Sequence, residues 1–132
     1  MPPGNEMSDK PDYLGLDHVQ VTIPRGAEPA AREFYCGVLG MEEVPKPPAL
    51  AVRGGIWLRI GPHELHLGVE EEQPESRRHP GLLVSSLAPL RRRLATVGID
   101  TQVDSPPERP GFTRVHFRDP FGNRLEFMER AP

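Results

Sequence analysis

The sequence predicts an α+β fold made of two copies of one unit: a strand, a helix, a short strand and a hairpin. Three observations lead there. Hydropathy alternates with a period of two in several short segments and with a helical period in two longer ones. The order of these segments in residues 14–70 returns in residues 79–130. Within each strand one set of side chains is apolar throughout, so the sheets pack one face beneath the helices and leave the other polar.

The elements follow in order. Residues 1–13 carry Pro, Gly and charge without pattern and read as a flexible tail. LDHVQVTI alternates His18, Gln20 and Thr22 with Val19, Val21 and Ile23, a half-buried strand ended by Pro24 and Gly26. Ala31, Phe34, Tyr35, Val38 and Leu39 share a helical stripe, opened by Pro29 and stopped by Gly40. A short apolar piece, Met41–Val44, precedes the loop PKPPA. GGIWLRI and HELHLGV form a hairpin about Gly61-Pro62. Charged residues 71–78 read as a linker. HPGLLVSS (79–86) opens the second unit as a strand. Leu87, Leu90, Leu94 and Val97 predict a helix stopped by Gly98. IDTQV is a short strand, SPPERPG a loop, and FTRVHF and NRLEFM a hairpin around Asp119-Pro120-Phe121-Gly122. A unit of roughly 60 residues used twice is too long for a solenoid, so residues 14–130 form one domain with two-fold internal pairing.

Composition narrows the function. The chain has 132 residues, with 16 Lys+Arg against 19 Asp+Glu and a formal net charge of −3. A mildly acidic chain is poorly suited to nucleic acid. No apolar run reaches the ~20 residues of a membrane span. The N-terminal residues lack the basic start and apolar stretch of a secretory signal, and the single Cys36 excludes an internal disulfide. The cytoplasm is the expected compartment. The 17 prolines punctuate loops.

The apolar face gathers Val19/Val21/Ile23, Ile56/Leu58/Ile60, Leu65/Leu67/Val69, Leu82/Val84, Val115/Phe117 and Leu125/Phe127. The polar face carries His18, Trp57, Arg59, Glu64, His66, His79, Arg114, His116 and Glu126. Any one-sided sheet shows water a polar face. The sharper reading is a concave face that gathers His18, His66, His79 and Glu126, because these stand at repeat-related strand positions. Imidazole and carboxylate together suit Fe, Ni, Co, Mn or Zn. Trp57 offers a flat wall for an apolar ligand, and Arg59 and Arg114, with His116, suit an anionic one. Cys36 reads as packing, His63 as solvated, Arg91–Arg93 as the wet side of a helix, and Arg118 and Arg124 as strand-end surface. The apolar loop Pro47–Leu50 is a lid or an interface.

LDHVQV, REFYCGVLGMEEV, HELHLGV, HPGLLV and FRDPFGNRLEFME resemble the vicinal oxygen chelate superfamily, the group of glyoxalase I, bleomycin-resistance proteins and extradiol dioxygenases. FYxxxLGM and DPxGNxLEF are the most specific stretches, and the resemblance covers about residues 14–130. It implies two βαβββ modules forming an eight-stranded cup, with the helices on its outer face. It implies metal ligands His18, His79 and Glu126, with His66 at the remaining place, and Glu126 as the proton-transferring carboxylate. A histidine at position 66 fits as a fourth ligand, as a partner of a ligand or as a substrate contact. It also implies a homodimer whose partner borders the cup. Two functions stay open. One is a divalent-metal-dependent lyase, isomerase or ring-cleaving dioxygenase acting on a small substrate with neighbouring oxygens. The other is a metal-free binding protein for a drug or metabolite.

Overall fold

The computed structural model describes residues 9–103 and 107–132. The first unit comprises strand β1 (His18–Ile23), helix α1 (Glu28–Arg32), strand β2 (Glu42–Val44), helix α2 (Pro48–Ala51), β3 (Ile56–Ile60) and β4 (His63–Val69). The second comprises β5 (Gly81–Leu83), α3 (Ala88–Thr96), β6 (Gln102–Val103), β7 (Phe112–Arg118) and β8 (Arg124–Arg130). The strands form two four-stranded sheets of the same topology, β1-β4-β3-β2 and β5-β8-β7-β6. In each, the first strand runs parallel to the last and the remaining pairs are antiparallel. These are the two βαβββ modules of an open eight-stranded cup.

The apolar residues alternate into one core that unites both units. Ile23, Leu58, Leu65, Leu94 and Leu125 are fully buried within it. Pro29 sits in the first turn of α1, where its missing N–H costs nothing. The helix then widens into a π-helical stretch, Glu33–Val38. The periodicity predicted one regular helix to Leu39. The wider turn lets two adjacent residues, Phe34 and Tyr35, both face inward. Leu39 N–H accordingly donates to Phe34 O, five residues back.

Four other boundaries differ from expectation. The loop after β2 contains the short α2, with Pro48 in its first turn. The strand expected over 79–86 contracts to Gly81–Leu83, because Pro80 has no N–H to offer a ladder. IDTQV contracts to Gln102–Val103, both exposed. Val97 is 50% exposed rather than packed, since α3 has already ended at Thr96. Loop residues 104–106 and tail residues 1–8 lie outside the described residues.

The turn DPFGN joins the units. Asp119, 5% exposed, accepts from Phe121 N and Asn123 N through Oδ1, and from Asn123 Nδ2 and Tyr35 OH through Oδ2. Asn123 Nδ2 also donates to Thr22 O at 2.7 Å, so the second hairpin grips the edge of β1. Residues 71–78 are likewise tied down. Thr22 Oγ1 donates to Gln73 Oε1 at 2.8 Å, and Arg118 donates to Ser76 O and Gly122 O. Arg118 therefore serves as a clamp on this segment rather than as strand-end surface.

Candidate functional site

Cross-strand neighbours share a face, so the register defines what the cup presents. In the first sheet Gln20, His66 and Trp57 lie in one row, and His18, Glu64 and Arg59 in the next. His66 is 6% exposed. Its ring lies between His18 and Trp57, with centroids 4.0 Å away on each side and interplanar angles of 16° and 1°. His66 Nε2 lies 2.9 Å from Glu64 Oε1, which satisfies a buried polar atom. His18 Nδ1 lies 2.9 Å from Asp17 Oδ2. Arg59 is exposed and faces Glu42 at 3.6 Å.

In the second sheet Gly81, Glu126, His116 and Gln102 occupy one row. Glu126 Oε1 lies 3.4 Å from His79 Nε2 and 3.6 Å from Arg114 Nη1. His79 Nδ1 lies 2.8 Å from the Arg77 carbonyl. A carbonyl oxygen only accepts, so Nδ1 carries a hydrogen. Nε2 therefore faces the Glu126 carboxylate with either a proton or a free lone pair.

The four candidate ligands thus come together as two pairs, His18 with His66 and His79 with Glu126. Among the described residues, no three His, Cys, Asp or Glu side chains converge so as to hold a metal ion. In kind the donors fit one: nitrogen and carboxylate ligands, with the second ring nitrogen of His18 and of His79 held by an oxygen. A cavity of about 600 Å³ runs between β1 and the start of β5, with Gln20, Thr22, His79 and Asn123 in its wall. Trp57, Arg114 and His116 stand on the polar faces beside these pairs. Burial and the neighbouring Glu43 carboxylate push the Cys36 thiol up, which suits packing rather than a nucleophile.

Residues 15–127 match the description of the glyoxalase/bleomycin resistance protein/dioxygenase superfamily. The chain belongs to this superfamily. It is 43% identical to a Bacillus anthracis protein assigned to the glyoxalase family, over 92% of this chain and 99% of that one, with a TM-score of 0.84. The lactoylglutathione lyase of Agrobacterium tumefaciens is 21% identical, with 89% and 95% of the two chains covered and a TM-score of 0.65. The fosfomycin resistance protein FosX of Listeria monocytogenes is 14% identical, with 91% and 96% covered and a TM-score of 0.68. At those identities the last two share the fold. No curated protein matches the chain. No helix among the described residues is long and apolar enough to cross a membrane.

Several residues that shape the superfamily cup here carried no sequence signal of their own. Glu28 Oε2 accepts from Gly55 N at 2.7 Å and fixes the end of the α2 loop. That bond, with Arg32 and Lys46 nearby, holds its carboxyl below the usual range against the effect of burial. Gln20 folds over Gly68, where a Cβ would come within 2.6 Å of the Gln20 amide. The glycine in HELHLGV was the available clue, since an isolated strand glycine marks a close approach.

Proposed function

We propose that this protein is a divalent-metal-dependent enzyme acting on a small molecule that presents two neighbouring oxygens. One observation carries the reading. His18 and His79 each have Nδ1 beside an oxygen acceptor, at 2.9 Å and 2.8 Å, which makes Nε2 the nitrogen that would meet a metal. His18, His79 and Glu126 would hold the ion, with His66 beside them. A bound ion supplies a Lewis acid for negative charge developing on substrate oxygen. Glu126 would take or return the proton, with the Arg114 guanidinium 3.6 Å from its Oε1. Trp57, Arg59, Arg114 and His116 orient the substrate. The reaction class is lyase, isomerase or ring-cleaving dioxygenase, in the cytoplasm. Because one chain keeps its donors in two pairs, the full set is gathered in a homodimer, His18 and His66 of one copy facing His79 and Glu126 of the other.

The test is metal content of protein purified without chelator or histidine tag, together with its mass in solution. A dimer with near-stoichiometric metal, lost in His18→Ala and in Glu126→Ala, is expected. Mixing the two variants under exchange should restore roughly a quarter of the wild-type metal, since random pairing leaves half the dimers with one intact site. Absence of restoration would place each site within one chain. Absence of metal in the wild type overturns the enzyme reading and leaves a metal-free binding protein.

A further inference from the structure

The concave face holds a second, smaller cavity of about 240 Å³ beside the His66 ring. Its wall includes Trp57, His66, Gln20, Leu50, Lys46 and Arg53. Two of these are cations, and among the described residues no Asp or Glu lines the cavity. Leu50 belongs to α2, the short helix that replaces the expected loop. Lys46 precedes α2 and Arg53 follows it, so one ordered excursion brings both charges to the same cavity. Its ends are fixed: Lys46 Nζ donates to Gly54 O, and Gly55 N donates to Glu28. Lys46 keeps further ammonium hydrogens for a ligand. Arg53 is exposed and forms no ion pair among the described residues.

We infer that this cavity is a subsite for the carboxylate end of a small ligand with a flat apolar body. A guanidinium fork matches a carboxylate in two hydrogen bonds, and Lys46 adds a second positive charge. The Trp57 ring, the edge of His66 and Leu50 supply the apolar wall, and Gln20 supplies one polar contact. The volume lies below the ~300 Å³ at which drug-sized sites begin, so the ligand is small. This subsite rests on the reading that the concave face takes a small molecule. It does not require a metal, and none of its cations was among the arginines singled out by sequence.

Trp57 is the single tryptophan of the chain, so its fluorescence reports directly on this wall. Benzoate, neutral benzamide and inorganic phosphate are titrated into metal-free protein, with calorimetry as a second readout. Saturable benzoate binding is expected, with benzamide at least about tenfold weaker. Arg53→Gln should weaken benzoate about tenfold and leave benzamide unchanged. This exposed variant spares the loop contacts of Lys46, and its circular dichroism confirms the fold. The proposal is overturned if benzoate gives no saturable change, if benzamide binds equally well, or if Arg53→Gln has no effect. It is also overturned if phosphate displaces benzoate at equal concentration, because the wall would then read charge alone. Metal content is scored separately on the protein as purified: its absence there fails the enzyme reading, whereas benzoate binding alone decides this one.

Discussion

Tyr35→Phe tests whether the DPFGN turn and the widened helix hold the two units together. The Tyr35 hydroxyl donates to Asp119 Oδ2 at 2.5 Å, and both residues are buried. Phenylalanine keeps the ring and its edge contact with Phe34, at 5.4 Å, and removes only this bond. Asp119 retains its other three donors, so the loss is one hydrogen bond to a carboxylate, about 2 kcal/mol. Urea unfolding followed by Trp57 fluorescence measures it. With a slope of ~2 kcal/mol per molar, the midpoint falls by about 1 M and the slope is unchanged. Burial first, then the Asp119 charge and hydrogen bond, raise the Tyr35 phenol well above its ordinary range. A raised acid contributes stability below its unfolded value and loses it as the pH climbs through the folded one. The gap between wild type and Tyr35→Phe should therefore narrow in strong alkali. A midpoint unchanged at neutral pH would show that the Tyr35–Asp119 bond adds nothing to the hold between the two units.

Gly55→Ala should destabilise by about 3 kcal/mol or more, because a Cβ there meets Leu67 O at 2.1 Å with φ at +84°. Gly98→Ala, with φ +76° and nothing within 4 Å, should cost only about 1 kcal/mol of backbone strain, and urea midpoints compare the two. Glu28→Gln should lower stability at neutral pH, because Glu28 is lowered from 4.5 chiefly by the Gly55 N–H. The wild-type advantage is present above the unfolded value and disappears as the pH falls through the folded one, so the two proteins converge in acid. Parallel pH profiles for the pair would refute that anchoring role.

The fold was legible because it rests on alternation. Each residue assigned to the apolar face, from Val19 to Phe127, lies in or against the core, since exposure of either face of a strand is set by side-chain polarity two residues apart. The repeat placed His66 and Glu126 in equivalent strands for the same reason. What escaped depends on contacts between distant segments. The π-helical widening is settled by where Tyr35 must reach, not by the period of residues 29–39. The α2 excursion is held by Glu28, far away in sequence. Most consequentially, strand register says which residues share a face but not whether two sheets bring their polar centres together. His18 and Glu126 both stand on polar faces, yet one chain leaves them in separate pairs.

Of the four candidate ligands, His66 is the one whose surroundings differ. His18 and His79 use Nδ1 on an oxygen acceptor, and the Nε2 of His79 faces Glu126, itself a candidate ligand. His66 commits Nε2 to Glu64 and is clasped between two flat rings at 4.0 Å. A ring held on both faces at 6% exposure has little freedom to turn toward an ion, whereas it fixes the plane of the His18 ring stacked on it. His66 is therefore expected to position His18 rather than to donate. His66→Phe preserves a flat ring between His18 and Trp57 and removes both nitrogens. Metal content should survive this change with at most about a tenfold loss of affinity, the size of a supporting-residue effect. His66→Ala, which also removes the stack, should weaken binding further and shift Trp57 emission to the red. Loss of metal in His66→Phe, with Trp57 emission unchanged, would make His66 a ligand in its own right.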